Sequence, residues 1–118
     1  MPASAANSPQ ISIVHVEGDA RWQEMVSAAI TGWPEVVSLG CCTHGAAGMR
    51  LCIEKQPDIV VLDLRLPDLD GFAVARELES LGCPSRILIL TAREDEATLL
   101  HIRDPHISGM IWKAPRGG

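Results

Sequence analysis

Hydrophobic residues follow two alternating patterns along the chain. Short apolar runs rich in β-branched residues, such as ISIVHV and DIVVLD, predict β-strands. Longer stretches with apolar residues at every third or fourth position predict amphipathic helices, the clearest of which carries a stripe from Trp22 to Ile30. The strands are predicted at 11–16, 35–42, 58–63, 86–92 and 107–113. The helices are predicted from Asp19 to the sequence TGWP, at 43–56 with Thr43 as N-cap, between Asp70 and Gly82, and at 94–102.

This alternation predicts an α/β fold, a five-stranded parallel sheet with helices on both faces. The third and fourth strands are apolar at nearly every position, which is typical of inner strands covered on both sides. Residues 1–10 are small, polar and Pro-containing, and are predicted to be a flexible N-terminal tail. Residues 11–118 are predicted to form one domain.

Polar residues stand at the ends of four predicted strands. In a parallel sheet with helical crossovers, the carboxyl ends of the strands lie at one edge, where ligand chemistry gathers. The residues expected at this edge are Glu17, Gly18 and Asp19 after the first strand, Asp63 in the third, Thr91 in the fourth and Lys113 in the fifth.

Converging carboxylates repel one another unless a cation lies between them, and a hard ion such as Mg²⁺ prefers oxygen ligands. A lysine and a hydroxyl at the same edge can hold the oxygens of a phosphoryl group. A carboxylate that points into this ring is placed as a nucleophile toward phosphorus. The pattern therefore predicts metal-assisted phosphorylation of an aspartate.

Composition narrows the function further. The chain has 118 residues, a formal net charge of -5 and a pI near 5.2, which disfavours direct nucleic-acid binding. No apolar run approaches the ~20 residues that span a bilayer, and the N-terminus lacks a signal-peptide pattern. We therefore expect a cytoplasmic protein that does not interact with membranes.

The four cysteines form no C-x-x-C pair. A zinc site built from Cys41, Cys42 and His44 is conceivable, but zinc thiolates are normally two to four residues apart. Buried, reduced thiols are the favoured interpretation. His15 lies within a strand and is predicted to be packed or hydrogen-bonded, and the three tryptophans are predicted to pack in the core or at its edge.

Three segments together resemble the receiver domain of two-component response regulators. VVLDLRLPDLDGF resembles the phosphoacceptor strand and its following loop, and it is supported by ILILTA and by SGMIWKAP, each at the expected place in the alternation. The resemblance covers about residues 11 to 115 and implies the doubly wound, flavodoxin-like strand order 2-1-3-4-5.

The resemblance also implies roles for individual residues. Asp63 would be the phosphoacceptor, Thr91 the hydroxyl that turns inward on phosphorylation, and Lys113 the cation that contacts the phosphoryl group. Mg²⁺ would be held by Glu17, Asp63 and the backbone carbonyl of Arg65. A sensor histidine kinase would supply the phosphoryl group, and the face formed by the fourth helix and fifth strand would signal to an output or DNA-binding domain beyond residue 118, to a partner or to a second copy in a homodimer. The chemistry would be confined to Asp63, so we do not expect a conventional enzyme.

Three departures from the family pattern qualify these expectations. The family's second acid after the first strand is Gly18 here, so weaker Mg²⁺ binding is expected; Asp19 either reaches the metal through water or only caps the helix. The switch aromatic in the fifth strand is replaced by Met110, which predicts a muted or altered switch. Only five residues follow Lys113, so the last helix is expected to be missing from this chain. Either the chain is truncated from a longer protein, which is the favoured interpretation, or the helix is absent and one sheet face is under-covered.

Two alternative functions remain. A pseudo-receiver would keep the fold and Asp63 but act as a phosphorylation-independent interaction or dimerisation module, which Gly18 and Met110 favour. Flavodoxin-like nucleotide or flavin binding is disfavoured because no Gly-rich phosphate loop follows the first strand.

Overall fold

The structure, a computed structural model, describes residues 10–92 and 105–113. The predicted helix at 94–102, nearly all of the predicted N-terminal tail and the chain after Lys113 lie outside these residues. The expectation that the last helix is missing therefore concerns a part of the chain that is not described.

The described strands form one five-stranded parallel sheet. They are β1 (Ile11–Val16), β2 (Val36–Cys42), β3 (Ile59–Asp63), β4 (Arg86–Thr91) and β5 (Ile107–Trp112). Their order is β2-β1-β3-β4-β5, which confirms the predicted architecture. The register pairs Val16 with Leu62 and Asp63 with Leu90, so the carboxyl ends of the three central strands lie at one edge.

Three helices connect the strands: α1 (Ala20–Thr31), α2 (Gly45–Lys55) and α3 (Gly71–Ser80). Asp19 and Asp70 cap α1 and α3, each accepting a hydrogen bond from the backbone N–H two residues later. The prediction of Thr43 as N-cap of α2 was wrong, because His44 holds that position without a side-chain hydrogen bond. The carboxylate of Asp68, from the loop after β3, instead accepts hydrogen bonds from the backbone N–H groups of Gly45 and Ala46.

The larger hydrophobic core lies between the sheet and helices α2 and α3. Alternate residues of the central strands, such as Val14, Val60 and Ile89, meet Phe72 and Leu78 of α3. All five side chains are less than 7% exposed. This face anchors the sheet and holds β3 in place behind Asp63.

The opposite face is covered by only one helix, α1, among the described elements. Its smaller core joins Ile13, Ile30, Val61 and Leu90, with Trp22 packed against it. Beside it lies an apolar groove of about 520 Å³ that runs from α1 to β5.

Two of the tryptophans are not packed as predicted. Trp33 lines the groove but is 55% exposed, and Trp112, on the edge strand β5, is 44% exposed. Trp33 lies on the face where only α1 packs, whereas Trp112 follows Ile111 of the groove and therefore lies on the other face of β5. The expectation of buried thiols was also wrong for Cys41, which is exposed, whereas Cys52 is buried and the other two cysteines are half-buried.

Candidate phosphoacceptor site

The four polar residues predicted at the strand ends come together at the carboxyl edge of the sheet. Glu17, Asp63, Thr91 and Lys113 are all less than 10% exposed. The backbone N–H of Lys113 donates a 2.7 Å hydrogen bond to the carbonyl of Thr91, which fixes the ends of β4 and β5 relative to each other. Buried ionisable groups at one place are costly unless they are paired, so this cluster is a candidate functional site.

The ammonium group of Lys113 lies between the two carboxylates. Its Nζ is 2.7 Å from Oε1 of Glu17 and 3.6 Å from Oδ1 of Asp63. The contact with Glu17 is a short ion pair between two buried side chains. Lys113 is thus closer to Glu17 than to the predicted phosphoacceptor.

Glu17 is held at the end of β1 by its own backbone and side chain. Its backbone N–H donates to the carbonyl of Cys42, and its Oε2 accepts a 3.1 Å hydrogen bond from the backbone N–H of Asp19. Burial and the neighbouring carboxylate of Asp63 raise the pKa of Glu17 to about 7, although Lys113 opposes this shift. Two acids and one lysine therefore share the site, and the pKa of one of the acids, Glu17, is close to neutral pH.

A tight loop shapes the pocket around Asp63. The backbone N–H of Arg65 donates a 3.3 Å hydrogen bond to Oδ1 of Asp63, and the N–H of Gly71 donates to the carbonyl of Leu64. A Cβ at position 71 would lie 2.4 Å from the carbonyl oxygen of Asp63, so only glycine allows the first turn of α3 to pass this close. The loop between them leaves a pocket of about 420 Å³ in front of the carboxylate. The pocket is lined by Gly18, Asp19, Asp63, Arg65, Leu66, Pro67, Thr91, Ala92 and Lys113.

Two of the predicted metal ligands, Glu17 and Asp19, are already engaged by other groups. Asp19 lines the pocket, yet its Oδ1 accepts a 2.8 Å hydrogen bond from the backbone N–H of Arg21, as the helix-capping alternative requires. Gly18 faces the loop: a Cβ there would lie 3.1 Å from the carbonyl oxygen of Arg65. The resemblance makes that carbonyl a metal ligand. It therefore lies next to Gly18, the position at which the family pattern has a second acid.

The donor set fits Mg²⁺ that keeps most of its water. No group of three or more His, Cys, Asp or Glu side chains suited to a metal ion occurs in the described parts of the chain. Mg²⁺ needs no such group, because it commonly binds one or two carboxylates and retains several waters. The Asp63 carboxylate and the Arg65 carbonyl supply two oxygens at the pocket, and Glu17 adds negative charge behind them.

Two residues at this site were assigned only packing roles by the sequence. His15, two positions before Glu17 on β1, is 1% exposed, and neither ring nitrogen has a hydrogen-bond partner among the described residues. Burial, helped by the charge of Lys113, lowers the pKa of His15 to about 4. Trp22 of α1 lies with its ring centroid 5.1 Å from Nζ of Lys113. The only sequence feature that could have pointed to Trp22 is its position one helical turn after Asp19, the N-cap of α1.

Met110, the predicted switch residue, lies apart from the pocket. It pairs with Ile89 in the β4–β5 register and is 37% exposed. Met110 is not among the residues that line the pocket, whereas Thr91 is. The geometry brings the predicted phosphoacceptor, hydroxyl and cation together, and their chemical roles stay predictions.

Comparison with known proteins identifies the class to which this fold and pocket belong. The family model of the response regulator receiver domain matches residues 13–116. The signal receiver domain of the NarL response regulator from Mycobacterium tuberculosis superposes with a TM-score of 0.84 at 26% identity, over 91% of this chain and 86% of that one. The chain therefore belongs to the response regulator receiver domain family.

Two curated relatives are longer proteins. BvgA of Bordetella pertussis, whose name describes a transcription regulator of virulence factors, is 44% identical over 64% of this chain and 36% of its own length. A protein-glutamate methylesterase/protein-glutamine glutaminase of Geobacter sulfurreducens is 29% identical over 92% of this chain and 29% of its own length. The chain thus spans about a third of each of these two relatives, whose names describe an enzyme and a regulator. Among the described residues, no helix has the length and apolar character to cross a membrane.

Proposed function

We propose that the chain is a phosphoacceptor receiver domain that takes a phosphoryl group onto Asp63. The observation that carries this proposal is the buried carboxylate at the end of β3, whose Oδ1 lies 3.6 Å from the Lys113 ammonium. Thr91 lines the same pocket, which is large enough for a phosphoryl group and open to solvent. Membership of the family supports the same assignment.

In the proposed reaction, one Asp63 oxygen attacks the phosphorus of a phosphohistidine on a sensor kinase. The new oxygen–phosphorus bond forms as the nitrogen–phosphorus bond breaks, and the electron pair stays on the histidine nitrogen, which takes a proton from solvent. Lys113 neutralises charge on the transferring oxygens, and the loop at Arg65 holds the carboxylate in place. Thr91 then donates its hydroxyl hydrogen to a phosphoryl oxygen.

Mg²⁺, when bound by Asp63 and the Arg65 carbonyl, would supply further positive charge against the phosphoryl oxygens. Gly18 removes one carboxylate from this site, so binding weaker than the family pattern implies is part of the proposal. Glu17, which Lys113 contacts at 2.7 Å, contributes charge rather than a free ligand.

The proposal extends to the partners that the family resemblance implies. We propose that the protein acts in the cytoplasm, with a sensor histidine kinase as donor and an output or DNA-binding domain beyond residue 118 as receiver of the signal. Inward movement of Thr91 would be transmitted toward Met110 on β5, which is exposed enough to be read by a partner or by a second copy. Because Met110 is flexible and unbranched, the response is expected to be smaller than that of an aromatic switch.

The proposal is tested with the intact chain, acetyl phosphate and millimolar Mg²⁺. We expect the mass gain of one phosphoryl group, its loss after acid treatment, and no gain for Asp63→Asn. Chelation of Mg²⁺ should slow the reaction sharply. An unphosphorylated wild-type protein under these conditions, or a gain that persists in Asp63→Asn, would overturn the assignment.

The pseudo-receiver alternative is favoured by one specific observation. Lys113 is closer to Glu17 than to Asp63, so the lysine already has a partner in this state. A module of this kind would bind its partner equally well before and after treatment with the phosphodonor. The same experiment therefore separates the two candidates.

A further inference from the structure

We propose that Trp22 is a positioning residue that holds the Lys113 ammonium in the phosphoacceptor pocket through a cation–π contact. The inference rests on the proposed function for its kinetic consequence, but its geometry is independent of phosphorylation. Trp22 lies on α1, outside the three segments that define the family resemblance, and it is not among the residues that line the phosphoacceptor pocket.

The surroundings of Lys113 explain why a ring is useful there. The side chain is 8% exposed, so its charge must be stabilised by the protein rather than by water. Glu17 stands on one side at 2.7 Å and the Trp22 ring on another at 5.1 Å, well within the range of a cation–π contact. Asp63, at 3.6 Å, is too far for a strong hydrogen bond.

A ring attracts a cation without accepting its N–H groups in the way that a carboxylate does. A third carboxylate in place of Trp22 would bind the ammonium more strongly and add another negative charge to a pocket that must receive a phosphoryl anion. With an indole, the ammonium stays charged and oriented, and hydrogens remain for phosphoryl oxygens. Trp22 is therefore a suitable neighbour for a lysine that must exchange partners.

The ring is itself fixed by the protein. Trp22 is half-buried and packs against the small core of Ile13, Ile30, Val61 and Leu90. It also lines the apolar groove, so it forms part of the wall between the groove and the phosphoacceptor pocket. Trp33 lines the same groove without a described contact to Lys113, which makes it the matched control for loss of apolar surface.

The geometry is tested first by NMR on the unphosphorylated protein. The chain has two lysines, Lys55 and Lys113, so exposed Lys55 is an internal reference for the ε-methylene protons. The Trp22 ring current should displace the Lys113 signals from those of Lys55 in the wild type and in Trp33→Leu. In Trp22→Leu, the ε-methylene chemical shifts of the two lysines should become similar. Equal ε-methylene shifts in the wild type would overturn the proposal, whether or not Asp63 is phosphorylated.

The functional consequence is tested by the initial rate with acetyl phosphate and Mg²⁺. Trp22→Leu should slow phosphorylation by about 2- to 30-fold, the rate equivalent of an ordinary cation–π contact. Trp22→Phe, which keeps an aromatic face, should recover most of the rate, and Trp33→Leu should match the wild type. Equal rates in Trp22→Leu and the wild type, or equal slowing in Trp22→Leu and Trp33→Leu, would overturn the positioning role. If the wild type itself is not phosphorylated, the proposed function fails and the NMR result alone decides on Trp22.

Discussion

Asp58 and Asp63 stand at the two ends of the same strand, and their surroundings are opposite. Asp58, just before β3, is exposed, and its Oδ2 accepts hydrogen bonds from the backbone N–H and the hydroxyl of Ser12 at 2.8 and 3.0 Å. The backbone N–H of Asp58 donates to the same hydroxyl. These hydrogen bonds lower the pKa of Asp58, which is an aspartate with a structural role.

Asp63 is buried and less completely satisfied. Its Oδ1 accepts one long hydrogen bond from Arg65, and the nearest cation is shared with Glu17. The comparison teaches that an acid at a strand end becomes a candidate for chemistry when it is buried and shares its countercharge with a second acid. The same strand β1 supplies both environments, with Ser12 at one end and Glu17 at the other.

The largest expected difference between the two ends comes from removing a cation. Lys113→Met would leave Glu17 and Asp63 buried together without a countercharge, and should lower the free energy of unfolding by about 3 kcal/mol at pH 8. The loss should shrink at pH 5, because the raised pKa of Glu17 lets that acid take up a proton. Arg86→Met, at the Asp58 end, should change little. Urea unfolding at both pH values measures the free energy of unfolding of each variant. Equal decreases in Lys113→Met and Arg86→Met would contradict the account.

His15 makes the Asp63 end sensitive to acid. Its pKa is about 4 in the folded protein and 6.5 when unfolded, so the unfolded state binds more protons between these values. Stability attributable to His15 is present above pH 6.5 and is lost as the pH falls toward 4, by at most about 3 kcal/mol. His15→Phe should flatten this part of the unfolding profile, while substitution of exposed His44 by Gln should not. A profile unchanged in His15→Phe would refute the prediction.

A third acid at the Asp63 end should strengthen metal binding. Gly18→Asp places a new Cβ 3.1 Å from the Arg65 carbonyl and 3.3 Å from Cδ of Pro67, so the loop must give by a few tenths of an ångström. We expect Mg²⁺ affinity to rise by about tenfold, because a second carboxylate suits this ion. Ser80→Asp, at the far end of α3, adds the same charge as a control. Calorimetric titration with Mg²⁺ measures the affinities. An unchanged Mg²⁺ affinity in Gly18→Asp would mean that Asp19 or Glu17 already provides the second carboxylate ligand.

The smallest expected effect compares the two aspartates directly. Asp63→Asn removes one of two buried acids that share a lysine, so it should raise the free energy of unfolding at pH 8 by on the order of 1 kcal/mol. Asp58→Asn weakens the hydrogen bonds to Ser12 and should lower the unfolding midpoint. Chemical denaturation of both variants tests the opposite signs. Destabilisation in both would mean that Asp63 is a structural residue like Asp58.

Much of the fold was predictable because it depends on local patterns. The apolar run of β3 and the stripe of α1 predicted their elements to within a residue or two at each end, and the strand order followed from the family resemblance. The N-cap of α2 was not predictable from Thr43, because the cap comes from Asp68, which is 23 residues from Gly45 in sequence. A contact between distant loops leaves no local signal.

The site was predictable in its membership but not in its pairing. Strand ends placed Glu17, Asp63 and Lys113 at one edge, because parallel strands align their carboxyl ends. That Lys113 would lie nearer to Glu17, and under the ring of Trp22, depends on side-chain geometry that no spacing encodes. His15, which has no hydrogen-bond partner in the described part of the chain, was hidden for the same reason, since a buried strand position says nothing about its neighbours.

The central claim is that Asp63, and not another acid, receives the phosphoryl group. Borohydride reduces an aspartyl phosphate to homoserine, so treating the phosphorylated chain and sequencing its peptides by mass spectrometry locates the modified residue. The account predicts homoserine at position 63, with Asp58 and Asp68 unchanged. Homoserine at either of those aspartates, or at no position in a chain exposed to acetyl phosphate and Mg²⁺, would contradict it.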